Sequence, residues 1–298
     1  MKKFISIFLL ISASTIVKAQ DNAFDDSLRI AGNYQLELKH RLQTLKSNLT
    51  SWSVHYNIAC CYALLKKNDS AFYYLNKSIE FGQNDGWALA DFDLKALHTD
   101  DRWKTLQKRL EEIYKQKHPQ IDTELGWEIS KMYFEDQAPK SASDNIALKY
   151  GMKSLQMELI DSVIATTDSL NMLRLDKIIE IHGWPGKKLI GMDGSNMAFI
   201  IILHAPLRYQ KKYFEMVKVA VNNGDLNRSS LAYLIDKMLT KEGKDQLYGT
   251  QLKYSYENKK YEFKPIEDEK NVNKRRSEVG LGPIEDYAKN FGFIYISK

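Results

Sequence analysis

The sequence predicts a mainly α protein, a layer of helical hairpins followed by a mostly helical domain with one β-hairpin. Three observations carry that expectation. Apolar residues recur at helical spacing from Ala23 to Lys117. Beyond Pro119 the helical pattern continues and includes a stretch, Met197 to Ala205, that is apolar on all sides. Only near residues 250–265 does the period change to two, the spacing of a half-buried strand. The 298 residues are 44% hydrophobic with a net charge of +5, which excludes a disordered chain and suffices for two domains.

The N-terminus has the pattern of an export signal. Lys2 and Lys3 precede an apolar run from Phe4 to Val17, and Val17-Lys18-Ala19 offers small or aliphatic residues where a signal peptidase reads. The run is shorter than the ~20 residues that span a bilayer. Residues 1–19 are therefore expected to be a cleaved signal peptide, leaving an exported, periplasmic or secreted chain with no membrane span. Cleavage removes three lysines and no acid, so the mature net charge falls to +2.

Residues 20–118 read as the helical layer. Leu28, Ile30, Tyr34, Leu36, Leu38, Leu42 and Leu45 mark its first helical stretch. Ser51 to Leu65 and Asp69 to Phe81 are two amphipathic segments joined only by Lys66-Lys67-Asn68, which makes them an antiparallel hairpin. Cys60 and Cys61 are adjacent, point about 100° apart on a helix and read as small packing residues rather than a disulfide. Asp100 or Asp101 can cap the next helix, whose buried stripe is Trp103, Leu106, Leu110, Ile113 and Tyr114.

The segments Asn57-Ile58-Ala59-Cys60-Cys61-Tyr62 and Asp69-Ser70-Ala71-Phe72-Tyr73-Tyr74-Leu75-Asn76-Lys77-Ser78-Ile79 resemble a tetratricopeptide repeat. Ala59, Ala71 and Ser78 sit where that repeat lets its helices approach, and Tyr62 and Leu75 where it places large residues. Asp91 to Trp103 resembles the unit that closes such arrays. The resemblance implies a small layer with a concave side, whose usual use is to hold a peptide or another protein domain; packing against the second domain of this chain is the alternative.

Residues 119–298 read as a second, mostly helical domain. Ile121 to Phe134 is a helix, Ser154 to Leu173 mixed helix and loop, and Asp176 to His182 a short helix stopped at Gly183-Trp184-Pro185-Gly186. Pro206 opens a helix through Val221, and Asp225 or Asn227 caps Ser229 to Lys241. Leu252, Tyr254 and Tyr256, then Tyr261 and Phe263, alternate about a turn at Asn258-Lys259 as a β-hairpin. Val272 to Val279 and Ile284 to Asn290 are short helices, and Phe293 to Ile296 reads as a closing strand.

No phosphate loop, dinucleotide fingerprint, zinc spacing or serine elbow occurs, so no cofactor and no metal are expected. From Pro119 onward 26 basic residues balance 25 acidic ones, which excludes a nucleic-acid footprint. What stands out is a set of polar residues in apolar company. His204 ends the all-apolar helix, His182 adjoins the Gly183-Trp184-Pro185 corner, and Gln246, Tyr248, Thr250 and Gln251 crowd between a helix end and the hairpin.

With Ala232-Tyr233-Leu234-Ile235-Asp236-Lys237, and Arg275-Arg276 before Gly280-Leu281, these motifs resemble, in order, the uncharacterised bacterial family known as domain of unknown function 6624. That resemblance names no reaction. Family members usually carry Arg where this chain has Lys237 and often where it has Lys140, and lysine lacks the planar fork that grips an anion at two points. Two expectations follow. One is an interaction or scaffold module. The alternative is a hydrolase-like enzyme with catalytic candidates His204, His182 and Arg275 and binding candidates Trp184, Gln246, Tyr248, Thr250, Gln251 and Arg276.

Overall fold

A computed structural model describes residues 23–255 and 260–296. The signal peptide expected over residues 1–19 and the turn expected at Asn258-Lys259 lie outside the described residues. The chain is mainly α with one two-stranded antiparallel hairpin. Among the described residues no helix is long and apolar enough to cross a membrane. Packing divides them into two units, 23–165 and 166–296.

The first unit holds α1 (Ala23–Ala31), α2 (Tyr34–Leu45), α3 (Trp52–Leu64), α4 (Asn68–Glu80), α5 (Trp87–Ala90), a 3-10 turn at Phe92–Leu97, α6 (Asp101–Lys117) and α7 (Thr123–Tyr150). Side-chain caps start the helices where the sequence offers them: Ser51 accepts from Val54 N, Asp100 from Arg102 N and Asp122 from Leu125 N. The α3–α4 hairpin closes tightly because Ala59, Ala63, Ala71 and Ser78 are all fully buried between its helices. Leu75, Leu94, Leu97, Trp103 and Leu110 fill the core behind it. Cys60 and Cys61 are buried and free, and burial raises both thiols, Cys61 to about 12.

α7 packs on α1, α5 and α6. It corrects one expectation, because the helix does not end at Phe134 but continues through Pro139 to Tyr150. A proline inside a helix costs about 3 kcal/mol and frees a carbonyl. That carbonyl belongs to Glu135, four residues before the proline. Burial of Asp136, Gln137, Ala138 and Pro139 outweighs the cost, and the Lys140 ammonium ties the next turn by donating to Asp136 O at 3.1 Å.

A second correction concerns α8 (Leu155–His182), a single helix in place of a mixed segment and a short one. The division between the units falls within it. No Gly or Pro interrupts residues 155–182. Apolar residues on both of its faces blur the periodicity, since Met157, Ile160, Met172, Leu175 and Ile179 are buried while Leu155, Leu159 and Leu170 are exposed.

The second unit continues with α9 (Lys187–His204), α10 (Leu207–Asn222), α11 (Arg228–Lys241), strands β1 (Leu252–Ser255) and β2 (Lys260–Phe263), a 3-10 turn at Glu269–Asn271, α12 (Val272–Glu278) and α13 (Ile284–Asn290). α9 breaks at Gly191, where φ is 78°. Its all-apolar part, Ala198 to Leu203, is buried as expected, and α9, α10 and α11 pack on one another.

Asp225 does not cap α11. It accepts from Lys187 N at 2.9 Å and so caps α9 from a distance. Gly186 makes this possible, since a Cβ there would lie 2.7 Å from the Asp225 carboxyl.

The hairpin pairs Leu252 with Phe263 and Tyr254 with Tyr261. Phe293 to Ile296 forms no strand. Its period of two is nevertheless meaningful: Phe293 and Tyr295 pack on the Phe263 ring at 5.3 and 4.9 Å, while Ile294 and Ile296 face solvent.

Candidate functional site

The polar motifs of the second unit gather around a side chain that sequence reasoning did not single out. Asp236, fully buried on α11, accepts from Leu247 N at 2.7 Å and Tyr248 N at 3.0 Å, and from both Thr250 N and Thr250 Oγ1 at 2.9 Å. Burial pushes its carboxyl up, and these donors pull it back. The signal available in the sequence was an acid on the same helical face as the buried Ala232 and Tyr233.

Gln246 closes the loop that Asp236 opens. Its Oε1 accepts from Gln251 N at 2.7 Å, and its Nε2 donates to Gln251 O and Lys264 O, both at 2.9 Å. The Gln251 amide donates to Thr250 Oγ1 at 3.0 Å. One buried amide thus pairs the backbone ends that a two-stranded hairpin leaves open.

Arg275 and Arg276 brace the same loop from α12. Arg275 Nε donates to Leu247 O at 2.8 Å, and its other nitrogens reach Asp268 and the carbonyl of Glu267. Arg276, 2% exposed, donates to Gly282 O and Tyr248 O at 2.7 Å each. Its guanidinium lies 5.2 Å from the centre of the Tyr287 ring. Burial lowers the Arg276 pKa and raises the Tyr287 phenol to about 12. Six predicted site residues, Gln246, Tyr248, Thr250, Gln251, Arg275 and Arg276, therefore share one network, in which each spends polar atoms on backbone or neighbouring side chains.

The other three lie on the α8–α9 connection and at the end of α9. His182 is exposed as the last residue of α8. Trp184 is half-buried and donates from Nε1 to Ser195 Oγ at 3.0 Å, pinning the corner to α9. His204, half-buried at the end of α9, has a ring nitrogen within 4.8 Å of a carboxylate oxygen of Asp168.

Two side chains cap the α9 carbonyls beside His204: Gln210 Nε2 donates to Leu203 O at 2.7 Å and Lys241 Nζ to Ala205 O at 2.9 Å. Burial lowers the Lys241 pKa, Asp168 opposes that shift and Lys264 adds to it. Lys264 N donates to Gln251 O, so this charge cluster borders the loop held by Asp236.

The first unit holds a second buried network. Arg29 donates to Glu37 and, at 2.6 Å, to Asp93, while Asp91 accepts from Tyr56, Trp87 Nε1 and Asp93 N. Cys60, Asp91 and Asp93 bring donor atoms within 4.8 Å of one another. The arginine and the hydrogen-bond donors already neutralise these carboxylates, which suits an ion-pair brace better than a metal centre. Burial and Asp91 push the Asp93 carboxyl up to about 6 despite Arg29.

On the surface of the same unit, Phe72, Asn76, Arg102, Thr105, Leu106 and Arg109 line a cleft of about 150 Å³ between α4 and α6. The Arg102 guanidinium lies 4.4 Å over the Phe72 ring, and Arg109 donates to Asn76 Oδ1 at 2.6 Å.

Compared with known proteins, residues 124–298 match the model of a family described as Family of unknown function (DUF6624). No curated protein and no solved structure matches the chain.

Proposed function

The chain belongs to the family of unknown function DUF6624, and on that footing we propose that it is an exported interaction module whose tetratricopeptide-like layer holds a protein or peptide partner. The observation that carries this reading is the α4–α6 cleft. Phe72 and Leu106 give it an apolar floor, and Arg102 and Arg109 stand at its rim, where an acidic partner would compete with Asp69 and Asp100 for the Arg102 guanidinium. The two arginines are seven residues apart on α6, a rise of about 10 Å, which suits a partner with spaced acidic groups.

Export is proposed from Lys2, Lys3, the apolar run to Val17 and the small residue at Ala19. N-terminal sequencing of protein recovered outside the cytoplasm should begin at Gln20. An intact Met1 there argues against cleavage.

A peptide array probed with the full chain tests the binding reading. Retention of acidic peptides, lost in Arg102→Glu combined with Arg109→Glu, is the expected result. An array that stays blank, or retention indifferent to both substitutions, would refute it.

The Asp168–His204 pair favours a second reading, a hydrolase-like site in which Asp168 orients His204 as a general base. Arg275, the other catalytic candidate beside the histidines, and Gln251 brace the loop and take no part in this site. Purified full chain assayed on ester and phosphodiester substrates should lose turnover in His204→Ala and show a shifted pH profile in Asp168→Asn. Turnover unaltered by both changes removes this site.

A further inference from the structure

Two ammonium groups stand near the C-terminal end of α9, outside the network around Asp236. Lys241 Nζ donates to Ala205 O at 2.9 Å, which tethers it to the residue that follows His204. An ammonium has three N–H donors, so two are left over. Lys241 is exposed, and among the described residues it forms no ion pair. Lys264 is the second group. Gln246 and Gln251 fix its backbone at the base of the hairpin, its charge acts on Lys241, and it too forms no ion pair among the described residues.

Like charges held close repel one another, and an anion placed beside both relieves that repulsion. Asp168, the carboxylate that acts on Lys241, stands beside His204. Two ammonium groups against one carboxylate leave a positive surplus next to the imidazole.

Resting on the Asp168–His204 reading above, we propose that this cluster holds the phosphate of a phosphodiester substrate, with Lys241 and Lys264 pairing with its charged oxygens. The position and number of the cations select that class. A carboxylic ester is neutral and develops charge on one oxygen, for which a single neutral donor suffices. A phosphodiester brings a full negative charge to the reacting group itself, shared by two oxygens. Lys241 is tethered one residue from the base, where that charge would lie, and lysine binds phosphate as a point charge. His204 takes a proton from water as the water oxygen bonds to phosphorus. The bond from phosphorus to the leaving alcohol oxygen then breaks, and the imidazolium returns the proton to that oxygen.

Inorganic phosphate titrated into the full chain and followed by phosphorus NMR line broadening should bind saturably. Lys241→Gln and Lys264→Gln should each weaken binding about tenfold, Lys241→Arg should recover most of the loss, and His204→Ala should retain binding. With bis(p-nitrophenyl) phosphate as substrate, the two glutamine variants should raise KM about tenfold, whereas His204→Ala should lower kcat. Phosphate bound by the parent and by His204→Ala, with no turnover of any ester, would remove the hydrolase reading and keep the anion site. Turnover that depends on His204 while phosphate binding is absent, or is indifferent to both glutamine variants, would overturn the proposal and keep that reading.

Discussion

Thr250 is joined to Asp236 twice, its amide and its hydroxyl both donating to Oδ2 at 2.9 Å. This pair of hydrogen bonds holds the 246–251 loop onto α11 and gives a buried carboxylate a structural task. Asp236→Asn keeps the shape but turns an acceptor into a donor facing backbone N–H groups. We expect a loss of about 2–4 kcal/mol, read as a fall in the urea midpoint at an unchanged slope.

Gly249 sits inside that loop at φ +66°, and a Cβ there would meet Ile284 Cδ1 at 2.4 Å. Gly249→Ala combines left-handed strain with overpacking, each worth about 1–3 kcal/mol. Thermal unfolding should shift down accordingly. Ile284→Val in the same chain should recover part of the packing loss and none of the backbone strain.

Arg276 makes two backbone contacts from one planar fork, to Gly282 O and Tyr248 O. Lysine retains the charge but cannot reach both carbonyls in that geometry. Arg276→Lys should therefore cost about 2–3 kcal/mol, nearly as much as removal of the charge in Arg276→Met. Equal stability of the lysine variant and the parent would show that charge alone matters here.

Asp93 makes the first unit sensitive to pH. An unfolded aspartate ionises near pH 4 (~3.9), while in the fold this carboxyl is pushed up to about 6. The folded chain then holds the proton more tightly than the unfolded one. Its contribution is full below pH ~4, is lost as pH rises through about 6, and is flat above. The side chain is 26% exposed, so about 1–3 kcal/mol is at stake. Urea unfolding from about pH 4 to 7 should show that decline, and Asp93→Asn should flatten it.

Much of the helical order was legible in the chain itself, because helix and hairpin signals are local. The α3–α4 hairpin rests on small residues at helical spacing, and β1 and β2 on alternation over a dozen residues. The polar cluster was legible as a set of names and not as a structure. Gln246, Thr250 and Arg276 stood out by composition, but the residue that binds them together, Asp236, lies 10 to 40 positions away from each.

The sequence by itself determined the mainly helical class, the hairpin, the buried course of Ala198 to Leu203 and the family. Tertiary structure decided where helices end, what Asp225 caps and what the polar residues do. Pro139 ends a helix by local energetics, yet buried packing carries α7 past it. Asp225 sits where it could cap α11, yet the close approach at Gly186 draws its carboxyl to α9. In both cases a contact between segments distant in sequence outweighs a preference of about 1–3 kcal/mol that neighbours alone would have satisfied.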